Sequence, residues 1–478
     1  MSSLKLMISS EMVDPKGRPL GGTEHSWCRA VPGGTGIAVL AFLTSKFPET
    51  SILENCLHKL QNSHPILRSR LHSAINTNTL SFITSPTPCI KLKAFDLSST
   101  FKILENTWNP KNRSISPLQL ILEHELNQNS WSNHNRAPSS FNDTQDVFFA
   151  TSYALPNAKW VLVLRLHASA CDRTTAVSLL QELVVLVSEE VRGVRVVQKE
   201  IANKEELSLG IEDLIPRKKA KKGLWERGFD VLTYSVNSLS LTNLKFKDSR
   251  SPRSSQVVRM QMSQNDTEKI IAGCKSRGIK LCGALASAGL IAAHHSRSRV
   301  DKQRKYAVLT LTDCRSILKP PLSNHHFGFY HSCILNTHVM KGGEKLWELA
   351  KNTYTAFAYY KNCNRHFSDM ADLNFLMCKA IDNPSLTPSS SLRTALLSVF
   401  EESVIDDYAG LQKEVGVEDY MGCASAHGIG PSIAIFDTIR DGRLDCVFVY
   451  PSPLHSREQM QEFVDNMKNV LVEGCTYA

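Results

Sequence analysis

Apolar and polar residues alternate along this chain with two different periods, and the switches between them mark a mixed α/β protein. Trp160 to Leu166 (WVLVLRL) is a short, mostly apolar run, the pattern of a strand covered on both faces. Directly after it, Ala176, Leu179, Leu180, Leu183, Leu186 and Val187 recur at helical spacing, predicting a helix over Thr175 to Val187. Upstream, Leu53, Cys56, Leu57 and Leu60 share one side of a predicted helix, Leu53 to Gln61. It must stop at Asn62-Ser63-His64-Pro65, because proline cannot continue it. Pro32-Gly-Gly-Thr-Gly36 lacks the Lys-Ser/Thr of a Walker loop and reads as a turn into the first strand.

The pattern starts again near Val257. Helices are predicted over Ser263 to Ser276 and Cys282 to His294, strands over Tyr306 to Thr312 and Leu444 to Tyr450, and a closing helix over Ser456 to Val472. Between the halves, Glu205 to Gln256 is rich in Ser, Lys and Arg. It carries five basic residues in the six positions 217–222 and reads as a solvated crossover. The expected division is therefore an N-terminal domain over 1–200, a basic linker over 201–256 and a C-terminal domain over 257–478.

Composition narrows the class. With 478 residues, 42% hydrophobic and 21% charged, extensive disorder and fibrous structure are excluded. Lys plus Arg is 55 against 46 Asp plus Glu, and this +9 is too diffuse to argue for nucleic acid. The longest mostly apolar stretch, Leu281 to Ala293, falls short of a bilayer span, so no membrane insertion is expected. Thirteen cysteines with no C-x-x-C pair, and no secretory signal, read as reduced thiols in a cytoplasmic protein. A monomer is expected.

Candidate chemistry sits where the strand ending at Leu166 meets its helix: His167-Ala-Ser-Ala-Cys-Asp172-Arg173. Ligands of α/β sheets are met at the C-terminal ends of strands, and a histidine there can act as a general base near neutral pH. Asp172 also suits a helix N-cap. A second strand runs into Asp313-Cys-Arg315, then Pro320, Pro321 and Phe327-Gly328.

With the early His64-Pro65-Ile-Leu67-Arg68, these pieces stand in a familiar order. The chain resembles the CoA-dependent acyltransferase superfamily. That group includes plant BAHD acyltransferases, alcohol acetyltransferases, polyketide-associated acyltransferases and condensation domains of peptide synthetases. The resemblance implies an α/β fold of two pseudo-symmetric, chloramphenicol-acetyltransferase-like domains with a channel between them. It further implies acyl transfer from acyl-CoA, as co-substrate, to a hydroxyl or amine of a small specialised metabolite. No bound cofactor is implied. Carried onto this chain, the family's base would be His167, with Asp172 pairing Arg315 as structural support beside Asp313 and Gly328.

Two departures matter. The family's base stands four residues before the Asp, and here that residue is Ala168; His167 is five before. Either the base has been lost, leaving a binding protein or a repurposed lyase or cyclase, or one extra loop residue swings His167 into the channel. The family's D-F-G-W-G motif is also absent; the corresponding stretch is Ser425-Ala-His427-Gly428-Ile-Gly430. Ser425 and His427 are kept as a substrate contact or alternative base. Arg173 is a candidate contact for CoA phosphates. His325, His326 and His331 lack an acid or Cys at ligand spacing, so no metal is expected.

Overall fold

The computed structural model describes residues 17–46, 48–74, 79–107, 115–132, 144–193, 207–217, 219–220, 222–223, 225–228, 232, 241–297, 302–384 and 393–476. Each predicted element is present, with ends moved by a few residues. The helix stopped by Pro65 runs over Thr50–Ser63. The mostly apolar run becomes strand Lys159–His167, and the helix after it extends over Arg173–Arg192.

Sixteen strands, β1 to β16 in chain order, fall into three sheets among the described residues. A small sheet joins β1 (Gly17–Pro19), β3 (Ser69–Ala74), β4 (Thr79–Thr84) and β6 (Thr144–Asp146). The N-terminal lobe is built on five strands in the order β14-β2-β8-β7-β5: Val417–Ala426, Thr35–Thr44, Lys159–His167, Phe148–Leu155 and Leu92–Phe95. The C-terminal lobe has the order β11-β10-β12-β15-β16-β9: His331–Met340, Arg304–Asp313, Leu397–Phe400, Ile433–Arg440, Arg443–Ser452 and Ser254–Gln261. There β13 (Val404–Asp406) pairs with β15.

Each lobe has its own apolar core. One gathers β2, β8 and the faces of helices Thr50–Ser63 and Arg173–Arg192; the other surrounds helix Leu281–His295, which is buried from Leu281 to His294. A helix apolar all round is the signature of an element enclosed on every side, as this one is.

The chain is not divided as cleanly as the sequence suggests. β14 comes from the C-terminal part yet pairs antiparallel with β2 along most of its length, in the N-terminal sheet. The linker is not simply solvated either. Lys222 is buried, its ammonium 2.9 Å from Asp369 and 2.8 Å from Asp372; an unpaired charge could not be buried there. Lys218, Lys221 and most of 229–240 lie outside the described residues.

Candidate functional site

A cavity of about 200 Å³ lies between the lobes. Its walls come from β2, β14 and the helix Arg173–Arg192 on one side, and from β10, β12, β15 and the first residue of β11 on the other. Most of the lining is apolar.

At its edge Asp172 holds the two strand-end motifs together. It caps the helix, accepting from the Thr175 amide at 2.8 Å. Arg315 approaches it bidentately, with Nη1 2.9 Å from Oδ2 and Nη2 3.0 Å from Oδ1, and the Tyr330 amide donates to Oδ2 at 2.7 Å. Burial alone would raise the pKa of this carboxyl, but the Arg315 guanidinium above all, with His331 beside it, outweighs burial and holds it well below the ordinary range. Asp313 supports the same arginine at 3.1 Å and accepts from Thr174 Oγ1 at 2.7 Å. The Gly328 carbonyl accepts from the Asp172 amide at 3.1 Å. Asp172, Arg315, Asp313 and Gly328 therefore form one buried knot across the two lobes.

His167 points elsewhere. β8 pairs with β2 in unbroken register from Thr44–Trp160 to Ile37–His167, so the strand reaches His167 without a bulge. Side chains alternate across a strand, which puts His167 on the side of Arg165, under Trp131, and Ala168 on the other. The imidazole lies edge-on to Trp131 at 5.1 Å, and its Nδ1 is 2.7 Å from Ser169 Oγ and 3.1 Å from the Ser169 amide. It is 1% exposed, absent from the cavity wall, and pushed down to about 3 by burial. The expectation that His167 swings into the channel is corrected here: Ala168 lines the cavity in its stead. Beside it stands the Trp27 ring. A Cβ on Gly36, which has φ +95°, would lie 2.9 Å from the Ala168 Cβ and 2.8 Å from the indole, so only glycine lets the three meet.

The remaining candidates divide. Arg173 reaches the cavity wall, but its guanidinium donates to Asp437 Oδ1 at 3.1 Å and lies 4.3 Å above the Phe400 ring. Its charge is already met, so it is not a free contact for phosphate. Ser425 lines the cavity, although its hydroxyl oxygen accepts from the Ile37 amide at 2.9 Å. His427 is outside the cavity wall, tucked under the Gly34 turn, with Nδ1 3.0 Å from Ser255 Oγ. Burial, then Arg393 and Arg253, push it down to about 4. His325 and His326 turn to Glu182 and Ser323, away from His331. Among the described residues no three His, Cys, Asp or Glu are grouped to hold a metal.

Sequence reasoning missed three features. His331 lines the cavity; Trp27 closes the place beside Ala168; and Asp437 is the partner of Arg173. A larger cavity, about 480 Å³, touches another face of helix Gly22–Ala30 and is lined by no residue of either motif. No described helix is long and apolar enough to cross a membrane.

No known family model matches the sequence, and no curated protein matches it. Solved structures do. The TRI3 trichothecene 15-O-acetyltransferase from Fusarium sporotrichioides superposes with a TM-score of 0.69 at 12% identity, covering 96% of this chain and 95% of its own. Polyketide synthase associated protein 5 from Mycobacterium tuberculosis gives 0.63 at 13%, covering 96% and 99%. The epimerization domain from the third module of tyrocidine synthetase B gives 0.61 at 13%, covering 97% of each. The chain has the two-lobed, chloramphenicol-acetyltransferase-like fold of acyltransferases and condensation domains, matched over 96–97% of its length.

Proposed function

We propose that this chain binds an apolar small molecule in the cavity between its lobes, and that acyl transfer through a His167 base is not its function. The reading is that of a condensation-like protein with Ala168 in the place of the base. One observation carries it: Ala168 faces the cavity beside Trp27, while the His167 ring is buried against Trp131 with Nδ1 occupied by Ser169. A general base must come within about 2.6–3.2 Å of the proton it removes, directly or through one water. The mainly apolar lining and the pairing of Arg173 with Asp437 fit a neutral ligand better than the phosphates of CoA.

Two measurements test this. Calorimetric titration with naphthalene should show binding that disappears in Ala176→Trp, which fills the cavity from the helix side. An assay with a panel of acyl-CoAs and hydroxyl or amine acceptors should show no transfer above the uncatalysed rate. Transfer by the natural protein that vanishes in His167→Gln, with an unchanged circular dichroism spectrum, overturns the reading.

A further inference from the structure

Rings line the cavity as a continuous band. Centroids step from Trp27 to Phe329 at 5.1 Å, to His331 at 6.4 Å, to Phe400 at 5.9 Å and to Phe436 at 5.3 Å. All five line the cavity, and His331 occupies the centre of the band. Its position follows from the sheet: His331 opens β11 opposite Asp313, the last residue of β10, so it stands at the strand end that carries the Arg315 motif.

The ring is also oriented. The preceding amide, Tyr330 N–H, is fixed on Asp172 Oδ2. His331 Nδ1 lies 3.0 Å from the same oxygen, in contact with it though out of line for a well-formed hydrogen bond. Beside an ionised carboxylate a neutral imidazole carries its proton on the nitrogen that faces it, leaving the other as an acceptor. With Nδ1 turned to Asp172, Nε2 is the ring nitrogen left to accept from a ligand in the mostly apolar cavity that His331 lines. An apolar cavity of about 150 Å³ accommodates benzene, so about 200 Å³ has room for one or two fused rings.

We propose that His331, set in place by Asp172, is the polar anchor of the cavity. Its Nε2 accepts a hydrogen bond from the hydroxyl of a flat aromatic ligand, and the site selects phenols over the matching hydrocarbon or methyl ether. This rests on the reading that the cavity holds an apolar ligand. Selection of this kind arises because a ligand without the hydroxyl leaves a buried acceptor unmet.

Calorimetric titration of the full chain with 2-naphthol, 2-methoxynaphthalene and naphthalene tests it. The natural protein should bind 2-naphthol at least about tenfold more tightly than the other two, a difference of about 1.4 kcal/mol. His331→Phe keeps a ring in the band and should bring 2-naphthol down to naphthalene. His331→Gln, whose side-chain oxygen accepts, should keep part of the preference and also serves if the Phe variant does not fold. The ¹⁵N resonance of His331 Nε2 should shift with 2-naphthol and stay in place with naphthalene. Naphthalene binding without a preference for 2-naphthol, or a preference untouched in His331→Phe, overturns the role of His331 alone. Binding of no probe overturns the cavity reading, and this inference with it.

Discussion

The two lobes contain the same unit, used differently. In the N-terminal lobe the β7–β8 hairpin leads into the 20-residue helix Arg173–Arg192; in the C-terminal lobe the β15–β16 hairpin leads into the 20-residue helix Arg457–Thr476. Each helix begins with an arginine that reaches across to a buried carboxylate of the other lobe. Arg173 lies 3.1 Å from Asp437 on β15, and Arg457 lies 2.7 Å from Glu123 on helix Pro117–Leu126. The lobes are thus clasped reciprocally.

What differs is the short stretch between strand and helix. In the first unit, Ala168 to Asp172 opens onto the cavity and is knotted to Arg315. In the second, Leu454 and His455 fill the junction, with His455 fully buried against Phe246 at 5.5 Å. Both units place a histidine at this junction, and burial pushes His167 and His455 each down to about 3. A histidine at such a strand end is therefore no mark of chemistry in this molecule. The cavity belongs to the unit in which small residues face inward.

The sharpest way to break the comparison is to cut its one asymmetric knot. Arg315→Ala leaves the Asp172 carboxylate buried without its guanidinium, and should cost about 3–5 kcal/mol in denaturant unfolding. A loss below about 1 kcal/mol would show that Asp172 is solvated after all. The depressed folded value of Asp172 also means that its share of stability is present above the unfolded carboxyl value near 3.9 and fades as pH falls below it. That acid loss should be blunted in Arg315→Ala.

Next come the two clasps. Arg173→Met and Arg457→Met should each destabilise by about 3 kcal/mol, since each strands one buried carboxylate. A large loss in one and none in the other would end the claim of reciprocity.

The two histidines give an effect that is absent at neutral pH and grows only as the solution is acidified. Each has a folded value below its unfolded one, so between about pH 6.5 and 3 the unfolded chain binds a proton that the folded chain refuses, and stability falls with pH. Each contributes a slope of up to about 1.4 kcal/mol per pH unit. His167→Gln and His455→Gln should flatten the decline equally; a difference between them would separate the units. Smallest is Ala168→His, which overpacks the space beside Trp27 and should cost about 1–3 kcal/mol, with recovery in the double variant Ala168→His, Trp27→Ala.

Much of the fold was legible because its strands and helices have strong periods and firm stops, as at Pro65 and in the run Trp160–Leu166. The Asp172–Arg315 pair was also legible, since two short motifs at strand ends need only one arrangement to meet. His167 was readable as a strand-end residue, but which face it occupied was decided by pairing with β2, and a shift of one residue exchanges the faces. His331 and Trp27 could not be read in the same way. They reach the cavity from segments more than 100 residues away on either side of Ala168, and nothing in their local pattern marks them. The place of β14 depends on long-range pairing that periodicity does not record.

That strand also decides what can fold by itself. Because Val417–Ala426 is hydrogen-bonded to β2, the N-terminal sheet is completed only by the C-terminal part of the chain. A fragment ending before Val417 should therefore leave β2 as an unpaired sheet edge, a ready template for association with other chains.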